Sequence, residues 1–190
     1  MQLNHKFSIQ IFTLIISMLL GLNLSMALEK KFETFDPDKN KSWSFFSDGV
    51  MGGLSSGQAF YGKSGKDNFV RLEGNVSTKN NGGFIQIRHK LRKSLDDRIK
   101  AMRLKVRGNG EKYYIFIRTR ATLLPWQFYN IEFQTSKNWS FVELEFKNFK
   151  RSSSFLRKKF KSSSIKSVGI VAYGRDHSAK LDISEIDFLK

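Results

Sequence analysis

A chain of 190 residues with 33 Lys and Arg against 17 Asp and Glu carries a formal charge of +16 at pH 7, and it contains no cysteine. That composition excludes disulfide staples, thiol nucleophiles, Cys-ligated zinc and lipidated cysteine. The core must hold by packing alone, and so basic a surface favours anionic partners.

In chain order, His5 and Lys6 precede an apolar run from Phe7 to Leu24, and Ser25-Met26-Ala27 closes it with a small-x-small cleavage pattern. Residues 1–27 therefore read as a secretory signal peptide and residues 28–190 as one domain. The leader lacks arginine, which argues against a mitochondrial transit peptide. The protein is expected to be exported, periplasmic or extracellular, and mass spectrometry of the mature form should find Leu28 at its N-terminus. Recovery of the uncut chain only from membranes would instead identify an uncleaved anchor, for which about 18 apolar residues suffice.

Asp36, Asp38 and Asn40 in "DPDKN" have the spacing of the first ligands of a calcium loop. Lys41 and Ser47 stand where such a loop needs Gly and Glu, so the stretch reads as a solvated turn. Next comes "SDGVMGGLSSG", Ser47 to Gly57. Gly52 and Gly57 have a phosphate-loop spacing, but Gln58 and Ala59 replace the Lys and Ser/Thr that would meet phosphate and magnesium. The stretch reads first as architecture. Gly49, Gly52 and Gly53 supply positive φ or close backbone approach, Asp48 and the serines bond nearby amides, and Val50, Met51 and Leu54 tuck into the sandwich end. Asp48, Gly52 and Gly53 are also candidates for a recognition rim.

Beyond it, alternation with period two recurs and helical periodicity is almost absent. Strands are expected at "QAFYG", "FVRLEG" and "GFIQIRH", and only "KSLDDRI" would give a short helix. "AMRLKVRG" places Met102, Leu104 and Val106 on one face and Arg103, Lys105 and Arg107 on the other. "KYYIFIRT" is apolar on both faces for most of its length and reads as a central strand. "QFYNIEFQT", "WSFVELEF", "SVGIVAY" and "KLDISEIDFL" complete about nine strands with tight connections, the pattern of an all-β sandwich or jelly roll. "KRSSSFLRKKFKSSS", Lys150 to Ser164, suits a mobile surface loop with Phe155 and Phe160 as anchors.

Candidates for chemistry are few. His89 and His177 read as surface or loop residues without a metal pattern. Asp96 and Asp97 are adjacent and diverge, and Asp182 and Asp187 bracket Ile183 and Ile186 in a strand with a turn or bulge. No catalytic residue, cofactor or metal is expected. Trp43 and Trp139 read as core caps, whereas Trp126, after Pro125, is balanced between core and ligand contact. Arg88, Lys90, Arg92 and Lys93 form one basic cluster, and Arg157, Lys158, Lys159 and Lys161 form a candidate recognition cluster for an anionic surface. Export removes nucleic acid from the partners, leaving anionic lipid, acidic polysaccharide or an acidic protein face.

Several blocks in order, "SDGVMGGLSSG", "GGFIQIR", "LKVRGNGEKYYIFIRT", "WQFYNIEFQTSKNWSFVELEFKNF", "SVGIVAYG" and "LDISEIDF", closely resemble the CIA30 family, complex I intermediate-associated protein 30. The resemblance implies a galactose-binding-domain-like β-sandwich (jelly roll) and an assembly role in complex I. Lys150 to Ser164 departs from the family pattern, which is shorter there, and the leader is secretory in character. The expected function is a non-enzymatic binding module, an assembly or stabilising factor for a membrane-associated or acidic protein. The alternative is an envelope carbohydrate-binding jelly roll, marked by an exposed Trp126 beside Gln127 and Asn130.

Overall fold

A computed structural model describes residues 31–38 and 42–190. The expected signal peptide, and Asn40 and Lys41 of the acidic turn, lie outside them. Eleven strands form two antiparallel sheets: β1 (Trp43–Ser47), β2 (Ser56–Ser64), β3 (Asp67–Val76), β4 (Phe84–Lys90), β5 (Ala101–Gly108), β6 (Lys112–Thr119), β7 (Tyr129–Gln134), β8 (Ser140–Glu145), β9 (Lys150–Arg151), β10 (Ile165–Tyr173) and β11 (His177–Leu189). One sheet has the order β1-β4-β10-β6-β7-β9 and the other β2-β3-β11-β5-β8. Among the described residues there is no α-helix, and none is long and apolar enough to cross a membrane.

The alternation in the sequence is the alternation of the pleat. Met102, Leu104 and Val106 of β5, Tyr113, Ile115 and Ile117 of β6, and Ile85 and Ile87 of β4 are all fully buried in one core between the sheets. Each of the aliphatic and methionine side chains among them contributes about 1.5–3 kcal/mol of burial energy. Trp43 joins this core, and its indole Nε1 donates to Glu33 Oε2 at 3.1 Å.

In a regular strand Asp182 and Asp187, five positions apart, would face opposite ways. The register of β11 against β5 shifts between Ile183 and Glu185, and this bulge brings both carboxylates to the outer face. There Asp182 accepts from Arg71 Nε at 2.6 Å and Arg107 Nε at 2.8 Å, and Asp187 from Arg103 Nη2 at 2.9 Å. Phe69 lies between the Arg71 and Arg107 guanidinia, each 5.4 Å from its ring. Trp139 stacks against Arg107 at 4.5 Å on this outer face, and so it does not cap the core as expected.

Three further expectations give way. "KSLDDRI" forms a turn, because the Asp96 carboxylate takes the Arg98 amide at 2.9 Å in competition with helical bonding. His89 sits on β4, half-buried between Trp43 and Phe32, and burial pushes its pKa below the ordinary imidazole value. The segment Lys150 to Ser164 is pinned to the domain: Leu156 is buried, Phe160 packs on Tyr129, Phe146 and Phe149, and Tyr129 Oη donates to Arg157 O at 2.9 Å. Phe155, expected as an anchor, is 90% exposed, and its neighbour Leu156 takes that place.

Candidate ligand-binding cleft

The residues of the six-stranded sheet that point away from the core build a cleft. When Ile85 and Ile87 face inward, Phe84, Gln86 and Arg88 must face outward, and on β6 the same rule turns Phe116 and Arg118 outward. β10 lies between them, and its Gly169 is paired in register with Arg88 on one side and Phe116 on the other. Phe46 of β1, opposite Gln86, extends the surface to the edge. The resulting cleft has a volume of about 430 Å³.

Its floor is open because Gly169 has no side chain. A Cβ there would stand 3.0 Å from Gln86 Oε1 and 3.6 Å from Phe116 Cβ, raising the floor and crowding the amide. The walls are aromatic. Phe116 and Phe128 stack with centroids 3.9 Å apart and planes 12° from parallel, and Tyr173 meets Phe116 edge-on at 5.2 Å. Such offset and edge contacts fix ring orientation as well as filling space.

The rim comes from two loops. On one side Trp126 is 63% exposed. Its loop is held by Arg118, whose guanidinium donates to Leu124 O at 2.8 Å and Pro125 O at 3.3 Å. Gln127 Oε1 accepts from the Leu123 and Leu124 amides, and Ser152 Oγ donates to Trp126 O at 2.8 Å. The opposite rim is Val50 and Met51 in the short 3₁₀ turn Asp48–Met51. Val50, Met51 and Leu54 are 74%, 63% and 55% exposed, so they do not tuck into the sandwich end as expected.

That turn is fixed from beneath by Asp48, which is fully buried. Its carboxylate accepts from the Ser55 amide at 2.9 Å, Ser55 Oγ at 2.5 Å, the Gly83 amide at 2.5 Å and the Phe84 amide at 3.2 Å. Burial works against the charge, but these bonds, the Ser55 hydroxyl foremost, outweigh it and hold the Asp48 pKa below the usual carboxylate value. Gly52 has φ +84°, which favours glycine, whereas Gly53 is needed for close approach: a Cβ there would lie 2.3 Å from Asp48 Cγ. Asp48, Gly52 and Gly53 thus shape the rim from below, and Trp126 lines the cleft. Arg157, Lys158, Lys159 and Lys161 are exposed elsewhere on the domain and do not line it.

The cleft holds Arg88 and Arg118 and no carboxylate among its lining residues. Arg88 lies over the Phe46 ring at 4.5 Å. Burial, and next the charge of Arg88, lower the Arg118 pKa from its usual value, and as a guanidinium it stays protonated. Among the described residues, no group of three or more His, Asp or Glu is placed to hold a metal ion. Sequence reasoning missed the outward Phe84, Gln86, Phe116, Phe128, Gly169 and Tyr173. The available signal was the second apolar face of "KYYIFIRT", which lines the cleft.

The model of the family described as complex I intermediate-associated protein 30 (CIA30) matches residues 31–183. The fold is similar to that of a family 11 carbohydrate-binding module from Clostridium thermocellum, solved with a β-1,3-1,4-mixed-linked tetrasaccharide. The TM-score is 0.70 at 13% identity, covering 84% of this chain and 94% of the module. A family 30 carbohydrate-binding module aligns with a TM-score of 0.53 at 12% identity, over 72% of this chain and 92% of that one. An exo-β-agarase aligns with a TM-score of 0.55 at 10% identity, over 85% of this chain and 25% of that one. No curated protein sequence matches the chain significantly.

Proposed function

The chain belongs to the complex I intermediate-associated protein 30 (CIA30) family, and from that premise we propose that it is a non-enzymatic binding module that takes a saccharide chain in the cleft of its six-stranded sheet. The observation that carries this reading is the lining: the exposed Trp126 and Tyr173 and half-buried phenylalanine rings beside an amide and two guanidinia, over a floor opened by Gly169. Sugar rings present apolar C–H faces between polar edges, so they stack on the exposed Trp126 while their hydroxyls bond Gln86, Arg88 and Arg118. Glycoside hydrolysis needs two carboxyl groups flanking the bond. The lining of this cleft supplies neither. The carbohydrate-binding modules of like fold support the reading by analogy of architecture.

A second reading places a segment of a partner protein in the same cleft, in the assembly role that the family description evokes. The apolar rim favours it, since Val50, Met51 and Leu123 are 74%, 63% and 81% exposed. Calorimetric titration with soluble oligosaccharides separates the two. Trp126→Ala should weaken saccharide binding by about tenfold or more while leaving the melting temperature unchanged, as for a tryptophan covered only on binding. If no saccharide binds and a partner protein is captured through the same tryptophan, the assembly reading stands.

A further inference from the structure

The two outer faces of the sandwich treat arginine in opposite ways. On the five-stranded sheet Arg71, Arg107 and Arg103 are each matched by a buried carboxylate, Asp182 or Asp187. On the six-stranded sheet Arg88 and Arg118 line the cleft, and among the described residues no carboxylate is paired with either. Their contacts are to neutral groups: the Phe46 ring for Arg88, and the Leu124 and Pro125 carbonyls for Arg118. Those contacts orient both guanidinia and leave both charges uncompensated.

The register places them around one point. Gly169 pairs with Arg88 on β4, and Arg118 pairs with Ser167 on the far side of β10, two residues along. Arg88 thus stands directly beside Gly169 and Arg118 diagonally across it, and the Gln86 amide, 3.0 Å from where a Gly169 Cβ would stand, faces the same space. An anion seated in the cleft over Gly169 would lie among Arg88, Arg118 and the Gln86 amide, and hydrogen bonds from guanidinium to an anionic oxygen are charge-assisted and stronger than neutral ones.

Resting on the saccharide reading above, we propose that the ligand is an anionic saccharide, a uronate-bearing chain whose carboxylate sits over Gly169 between Arg88 and Arg118 while a neighbouring ring stacks on the aromatic rim. A neutral glycan would leave two half-buried cations without counter-charge in a site closed over by sugar. A uronate removes that cost.

The test is calorimetric titration with a panel of oligouronates of galacturonate, mannuronate, guluronate and glucuronate, each paired with its methyl ester, and with a neutral β-glucan tetrasaccharide. At least one acid form should bind about tenfold or more tighter than its ester, and Arg88→Gln should remove that margin, as expected for losing one charge-assisted pair. The margin should shrink as salt rises. Replacing Arg157, Lys158, Lys159 and Lys161 by Ser should leave it intact. Equal binding of acids and esters, or binding of the neutral glucan alone, overturns the anionic ligand while sparing the saccharide reading. A preference that survives Arg88→Gln and disappears in the fourfold Ser variant also overturns it, by placing the anion on the 157–161 segment. Failure of every saccharide, with or without binding of an acidic peptide, overturns both.

Discussion

Asp48→Asn is expected to destabilise the domain by about 2–4 kcal/mol, because an amide nitrogen would then face donors that now converge on a carboxylate, and each buried donor left unmet costs about 1–3 kcal/mol. The substitution is nearly isosteric, so packing is not the cause. Four bonds, from Ser55 twice and from Gly83 and Phe84, close on this one side chain. They tie the turn before β2 to the start of β4. The effect carries a pH signature. The folded-state pKa of Asp48 lies below its ordinary value, so its stabilising contribution is complete above the unfolded pKa of about 3.9 and is lost as pH falls through the folded value. Denaturant titrations of both proteins should therefore show a gap that narrows below about pH 4. A gap constant from pH 3 to pH 7 would mean that the charge of Asp48 contributes nothing.

Asp182→Ala should be comparably severe, at about 3 kcal/mol, since removing one member of a buried ion network strands the others. Two guanidinia depend on this carboxylate, and its own side chain is only 3% exposed. The triple variant Arg71→Met, Asp182→Leu, Arg107→Met should recover much of the loss, because apolar side chains of similar volume commonly replace such a network at little net cost. Chemical denaturation of the wild type, the single variant and the triple variant decides this. A triple variant no more stable than Asp182→Ala would show that the arginines contribute through the packing of their guanidinia on Phe69 and Trp139.

The strands were legible because each side of the sandwich imposes its own chemistry on alternate residues. In "AMRLKVRG" the inner face is aliphatic and the outer face cationic, and the chain follows that division from Ala101 to Gly108. The cleft was not legible for the same reason inverted. Its floor and walls are apolar too, so Phe116 on the outer face of β6 is indistinguishable in sequence from Ile115 on the inner face. Only the pairing of Gly169 with both Arg88 and Phe116 brings the three together, and they come from strands far apart in the chain. Val50 and Met51 misled for a related reason. Hydrophobicity alone signals burial, whereas here a charged residue, Asp48, goes inside to hold the turn and the apolar residues are left on the rim.

The loop that carries Trp126 is held at several points before any ligand arrives: by Arg118 from β6, by the side chain of its own Gln127, and by Ser152 from the segment after β9. Ordering a free loop on association would subtract conformational entropy from the binding energy, residue by residue. Here that loss falls on folding, so the backbone that carries the indole is already in place. On the reading proposed above, recognition would proceed by fit to a standing shape, and discrimination between ligands would arise from what they place over Gly169, with little contribution from how far the protein must rearrange to receive them.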